Sequence, residues 1–128
     1  MINSVKHIGI CVKEIDIENF YKKIFNGSVE KTFELKEEQA YSIFRIKKQI
    51  KIMQLICEGV SFELFIHDNH SDQGFTHTCI LSERAVEIAE KSRDMGYDVY
   101  SHNNHPPETF FIKDSNFNLF EIKAAENV

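Results

Sequence analysis

Apolar and polar positions along this chain follow two periods, and the periods alternate in the same order twice. The run Val5-Lys6-His7-Ile8-Gly9-Ile10-Cys11-Val12 is rich in β-branched residues and predicts a strand. Asp16 follows as the expected N-cap of a helix. Ile17, Phe20, Tyr21 and Ile24 then recur with the spacing of one buried helical face. Asn26-Gly27 ends that helix, with the glycine assigned to the left-handed closing position. Strand-like runs over 28–35, 49–57 and 60–67 come next, and Glu58-Gly59 joins the last two as a hairpin.

The second half repeats that order. Residues 75–81 predict a strand, Ser82 a cap, and Ala85, Ile88, Ala89 and Ser92 a helical stripe that stops at Met95-Gly96. Short strands are expected over 98–102, 109–113 and 118–123. The fold class expected is therefore α+β, with two strand–helix–three-strand (βαβββ) repeats over about 5–68 and 74–124. A single domain over 1–128 would hold both. Residues 37–48 are an extra piece in the first repeat. Ala40, Ile43 and Phe44 suit a helical turn there, Tyr41, Ile43 and Arg45 a strand, and a short helix or turn is the favoured reading.

Strand parity sorts the polar residues. Side chains alternate faces, and helices cover the more apolar face of such a sheet. Ile8, Ile10 and Val12, then Phe62, Leu64 and Ile66, Thr78 and Ile80, and Phe120 and Ile122 form that face. His7, Glu63, His77 and Glu121 are left on the opposite one, at equivalent places in the two repeats. If the strands curl into a cup, two imidazoles and two carboxylates line it. That mixed N/O donor set suits one divalent ion such as Zn, Ni, Co, Mn or Fe(II). Taken singly, a strand histidine reads as a structural hydrogen-bonding residue and a strand glutamate as a solvated carboxylate. The pattern alone leaves both readings open.

Composition narrows the classes. A net charge of −5 gives nucleic acid no electrostatic footprint. No apolar run is long enough for a membrane helix, and the first residues do not read as a secretory signal. Three cysteines are an odd count, which argues against a disulfide framework and for a reducing, cytoplasmic setting. No Gly-rich phosphate loop, dinucleotide fingerprint or serine nucleophile elbow occurs. His67, His70, His102 and His105 fall near strand ends or loops and read as solvated, as do Lys22-Lys23 and Lys47-Lys48. Cys11 and Cys79 face the cup without the signature of a reactive thiol.

The four residues in their contexts resemble the vicinal oxygen chelate superfamily, which includes glyoxalase I, methylmalonyl-CoA epimerase, fosfomycin-resistance proteins and extradiol dioxygenases. The contexts are His-Ile-Gly-Ile at His7, Phe-Glu-Leu-Phe at Glu63, Thr-His-Thr-Cys at His77 and Leu-Phe-Glu-Ile at Glu121. The closing stretch from Phe110 to Asp114 and from Asn118 to Glu121 is its most specific part. The resemblance implies paired βαβββ modules forming a curved, cup-shaped mixed sheet with helices outside, around a metal held by His7, Glu63, His77 and Glu121. Glyoxalase I enzymes resemble this chain at all four positions. Epimerases usually have Gln in place of Glu63, and fosfomycin-resistance proteins and dioxygenases use three ligands.

The implied function is a glyoxalase I-like lyase or isomerase, acting by proton transfer through a metal-chelated enediolate on a small 2-oxo or hydroxy (thiol-adduct) substrate. Glu121 is the implied base and Glu63 its partner on the opposite face. Cys11, Phe65, His67 and Cys79 are the candidate substrate contacts. Glutathione-dependent glyoxalases carry Arg in place of Cys11 and Asn in place of His67, so the thiol is left open. The alternatives are an epimerase of an acyl-CoA-type substrate and a metal-free small-molecule-binding or antibiotic-resistance protein, whose cup Phe33, Phe65 and Phe75 would line. A small-molecule substrate and a homodimer are implied in the enzyme reading.

Overall fold

Alternation of buried and open positions shows directly in the structure along Val60–Ile66, His77–Ser82 and Leu119–Ala124. The computed structural model describes residues 1–67, 74–101 and 108–125. The strands are β1 (Ile8–Val12), β2 (Ser28–Leu35), β3 (Ile50–Cys57), β4 (Val60–Ile66), β5 (His77–Ser82), β6 (Asp98–Ser101), β7 (Thr109–Lys113) and β8 (Leu119–Ala124). They form two four-stranded sheets, ordered β1-β4-β3-β2 and β5-β8-β7-β6. In each sheet the first strand pairs parallel with the last, Gly9 opposite Glu63 and Cys79 opposite Glu121, and the other pairings are antiparallel. The expected α+β architecture of two βαβββ modules is the one observed. His70, His102, His105 and the end of the strand expected over 98–102 lie outside the described residues.

Helix α1 starts over Glu14–Asp16 and continues in π-helical form over Ile17–Lys22. Phe25 N–H donates to Phe20 O at 3.1 Å, five residues back, and this wider turn sets the Phe25 and Phe20 rings 4.8 Å apart. The predicted stripe Ile17, Phe20, Tyr21 and Ile24 is buried as expected, with Phe25 added to it. Helix α2 spans Glu37–Phe44, where the sequence favoured a short helix. Gln39 Oε1 accepts from Lys36 N–H at 2.9 Å, satisfying one free donor at its start. Helix α3 spans Ala85–Asp94 and buries Ala85, Ile88, Ala89 and Ser92.

Three end signals are corrected. Asp16 is not an N-cap: Lys13 holds that position, and Asp16 lies inside the first turn with no exposed surface. Its carboxylate accepts from Tyr97 Oη at 2.7 Å, Ser115 N–H at 2.7 Å and Ser115 Oγ at 2.8 Å. Asn26, not Gly27, takes the left-handed position, with φ 53°. Gly27 is needed for closeness, since a Cβ there would lie 2.5 Å from Tyr21 O and 2.9 Å from Cys57 Sγ. Ser82 ends β5; its Oγ accepts from Arg84 N–H at 3.0 Å and donates to Glu58 at 2.9 Å, one turn before α3. The hairpin turn is as expected, with Glu58 (φ 50°) and Gly59 (φ 77°) both left-handed, the twist that hairpins favour.

The two halves share one core. Phe20, Tyr21 and Phe25 of the first pack on Phe120 of the second, which also meets Phe62 at 5.9 Å. Tyr21 Oη donates to Asp114 at 2.6 Å within that core, and burial pushes the tyrosine pKa far up. Burial also raises the Asp114 pKa, against the pull of bonds from Tyr21, Asn116 and Asn118. Asn116 and Asn118 then donate to the Cys11 carbonyl at 2.8 and 2.7 Å, tying the β7–β8 turn to β1. Arg84 pairs with Glu58 and reaches Ile24 O at 3.1 Å. No helix of the described residues is long and apolar enough to cross a membrane.

Candidate functional site

Each sheet turns one face to the helices and leaves a polar pair on the other. Phe62 and Leu64 are buried on β4 while Glu63 and Phe65 beside them are half-buried; Phe120 and Ile122 bracket Glu121 on β8 in the same way. His7 stands just before β1 and His77 opens β5. His7 Nε2 lies 3.5 Å from Glu63 Oε1, and His77 Nε2 lies 3.4 Å from Glu121 Oε1. The glutamates are exposed to 16% and 18%, so the two repeats reach nearly the same local geometry.

The second pair carries a further constraint. His77 Nδ1 sits 2.8 Å from the Phe75 carbonyl, which can only accept, so the proton of the neutral ring is on Nδ1. Nε2 then presents a lone pair to a carboxylate oxygen. Such a lone pair beside a carboxylate oxygen can take a proton or a metal ion, and a backbone carbonyl that fixes the tautomer is a common support of a metal-binding histidine. The residues thus fit a divalent ion by donor type.

The four donors are gathered as two pairs. Among the described residues, no three His, Cys, Asp or Glu side chains of one chain converge closely enough to hold an ion. Within the chain His7 lies beside Glu63 and His77 beside Glu121, and the described residues do not bring all four together.

The surroundings of the two glutamates differ. Beside Glu121, Cys79 Sγ donates to Oε2 at 3.5 Å and Lys123 Nζ lies 3.3 Å from the same oxygen. Burial, and then the Glu121 charge, raise the Cys79 pKa and keep it a thiol. At the corresponding places beside Glu63 stand Gly9 and Phe65. A Cβ on Gly9 would lie 3.2 Å from the Phe65 ring, so the glycine gives the ring its seat.

Two cavities adjoin these pairs. One, of about 280 Å³, has Cys11, Phe65 and His67 on the strand side and Ala40, Phe44 and Lys48 on the α2 side. Three of the four candidate substrate contacts line it. The other, of about 430 Å³, lies between Ile8, Gly9 and Ile10 of β1 and Thr76, His77 and Cys79. The sequence reading missed the wall of the first cavity. Lys48, read as solvated, lines it, and the length difference between the two repeats was the signal that something is built there. Burial raises the Cys11 pKa more than the Lys48 ammonium lowers it, so Cys11 is a thiol as well. Phe75 is 98% exposed and lines neither cavity, and Phe33 lies beneath the Lys31 ammonium at 5.2 Å.

No protein-family model and no curated protein matches the chain. Solved structures do. The genomically encoded fosfomycin resistance protein FosX of Listeria monocytogenes superposes with a TM-score of 0.72 at 18% identity, covering 98% of this chain and 96% of that one. FosX from Mesorhizobium loti gives 0.71 at 12% identity, covering 98% and 94%. A glyoxalase family protein from Enterococcus faecalis gives 0.67 at 16%, covering 94% and 97%. Other structures of the Listeria protein contain Mn(II), one with 1S,2S-dihydroxypropylphosphonic acid and one with sulfate. Fosfomycin resistance proteins and glyoxalases alike belong to the vicinal oxygen chelate superfamily, and its paired βαβββ fold is the fold of this chain.

Proposed function

We propose that this chain is a metal-dependent enzyme of the glyoxalase I type, in which His7, Glu63, His77 and Glu121 hold one divalent ion. The reaction moves a proton between neighbouring carbons of a small 2-oxo or 2-hydroxy compound, with no atom gained or lost. The observation that carries this reading is the twin imidazole–carboxylate pair, Nε2 facing Oε1 at 3.5 and 3.4 Å. The ion, when bound, supplies Lewis-acid stabilisation of charge developing on two adjacent substrate oxygens. Glu121 takes the proton from the carbon next to the carbonyl and returns it to the neighbouring carbon. Lys123 and Cys79 hold its Oε2 at 3.3 and 3.5 Å, which positions Oε1 on the His77 side. Glu63 serves the opposite face of the substrate.

Because one chain offers the donors as two separate pairs, a homodimer completes the set, the first repeat of one copy facing the second repeat of its partner. A complementation experiment tests this. A chain carrying His7→Ala with Glu63→Ala and a chain carrying His77→Ala with Glu121→Ala each lose the ion. When the two are refolded together, roughly a quarter of wild-type metal returns, since half the dimers are mixed and each has one intact site. Absence of recovery overturns the shared site; a wild-type chain that takes up no Ni, Co, Zn or Mn overturns the metal. Glu121→Gln keeps the fold and most of the metal and loses turnover of hemithioacetals, assayed with several thiols. Wild-type turnover in that variant removes Glu121 from the chemistry.

A second reading is favoured by one comparison. The diol phosphonate held with Mn(II) by the Listeria protein is what addition of water to an epoxide yields. Glu63 as a fourth donor supports the proton-transfer reading instead, and turnover of an epoxide phosphonate but of no hemithioacetal would reverse the order.

A further inference from the structure

The two repeats differ most in what lies along the strands beyond each glutamate. In the second repeat the positions after the histidine and glutamate hold Cys79, Leu81 and Lys123. In the first the same places hold Gly9, Cys11 and Phe65, and residues 37–48 build a wall opposite them. The result is the 280 Å³ cavity, whose apolar lining includes Ile10, Ala40, Phe44, Ile46, Ile50 and Phe65. The Phe44 and Phe65 rings meet edge to face at 5.3 Å and together form part of its wall. Among the described residues, nothing in the second repeat corresponds to this wall.

Its position relative to the metal pair follows from strand geometry. His7, Gly9 and Cys11 point to one face, as do Glu63, Phe65 and His67, with Gly9 opposite Glu63 and Cys11 opposite Phe65. At about 3.3 Å per residue, Cys11 and His67 lie about 13 Å along the strands from His7 and Glu63. The cavity therefore begins beside the metal pair and runs away from it. Lys48 stands at the far end, near enough to Cys11 for its ammonium to pull the thiol pKa down against burial. Among the described residues no carboxylate pairs with Lys48. An apolar slot ending in a cation suits an apolar arm that ends in an anion.

We infer that the substrate is an elongated monoanion: vicinal oxygens at the metal pair, an aryl or branched alkyl arm packed against the Phe44–Phe65 ring pair, and a carboxylate or similar anion at Lys48. This deepens the proposed function and rests on it only for the chelating end. Substrates of two or three carbons leave the slot empty, so the inference also separates this chain from enzymes of the smallest oxo compounds.

Titration calorimetry on the full-length chain, with and without added Ni, tests it using 4-phenylbutyrate and its neutral analogue 4-phenylbutanol. The acid is expected to bind about fivefold more tightly than the alcohol, the scale of one half-exposed ion pair. Lys48→Gln, a surface change that leaves the fold intact, brings the two affinities within about twofold of each other. Phe44→Ala weakens both probes by about tenfold, the scale of one aromatic pairing. Equal binding of acid and alcohol by wild type, an acid preference that survives Lys48→Gln, or probe binding unchanged by Phe44→Ala each overturns the inference. Probe binding does not need the metal. A chain that takes the acid but no divalent ion keeps the slot and loses the proposed chemistry; one that takes the ion but neither probe does the reverse.

Discussion

Asp16 carries the sharpest structural prediction, because a residue that looked like a helix cap is a buried carboxylate joining the two halves. Asp16→Ala removes the acceptor of three hydrogen bonds, from Tyr97 Oη at 2.7 Å, Ser115 N–H at 2.7 Å and Ser115 Oγ at 2.8 Å. Bonds to a charged group contribute about 1.5–3 kcal/mol each, and they are not additive when they share one acceptor. Truncation also strands the Ser115 N–H, whose desolvation is then uncompensated. A total loss of about 4 kcal/mol follows, a large part of the ~5–15 kcal/mol that holds a domain folded. For a chain of 128 residues this lowers Tm by roughly 15 °C. Asp16→Asn keeps one oxygen acceptor without the charge and loses about half as much. Urea unfolding followed by circular dichroism measures both, and a double-mutant cycle with Tyr97→Phe isolates the shared bond. The cycle is expected to give a coupling of about 1 kcal/mol or more. A loss below about 1 kcal/mol for Asp16→Ala, or the same Tyr97→Phe penalty in both backgrounds, refutes the reasoning.

Other outcomes follow from particular contacts. Gly27→Ala places a methyl 2.5 Å from Tyr21 O and is expected to cost about 2–3 kcal/mol in denaturant unfolding; a neutral result would show that the α1–β2 corner yields. Burial raises the pKa of both Tyr21 and Tyr97, so the folded chain keeps protons that the unfolded chain releases above about pH 10. Stability then falls as pH rises past that point, by about 1.4 kcal/mol per pH unit for the buried Tyr21 and by less for the part-exposed Tyr97. Tyr97→Phe lessens the slope by that smaller share, and an unchanged slope would count against Tyr97 as a source.

Much of the fold was legible because its signal is local. The strands at Ser28–Leu35 and Thr109–Lys113 have the bounds that alternation predicts, and the stripe from Ile17 to Ile24 is buried. Parity placed all four metal-type residues on the face away from the helices, and each His lies beside the Glu of its own repeat. What stayed hidden depends on distant partners. An Asp before a helical stripe looks the same whether it caps its own helix or binds Ser115, 99 positions on. Asn26 and Gly27 both suit a left-handed residue; only the closeness of Cys57 and Tyr21 O decides which one must lack a side chain. Lys48 reads as a solvated pair with Lys47 until α2 folds back and makes it part of a wall.

The π-helical turn over Ile17–Lys22 restricts how this chain can vary in length. A further residue inserted there, not absorbed by another wide turn, would rotate everything after it by about 100°. Ile24 and Phe25 would swing toward water, and Arg84 would lose the Ile24 carbonyl it holds. Insertions and trims are absorbed more cheaply between β2 and β3, where the first repeat already departs from the second. The stretch of chain freest to lengthen or shorten is thus the one that walls the 280 Å³ cavity. A change of length there would reshape that cavity while the aromatic interior remains untouched.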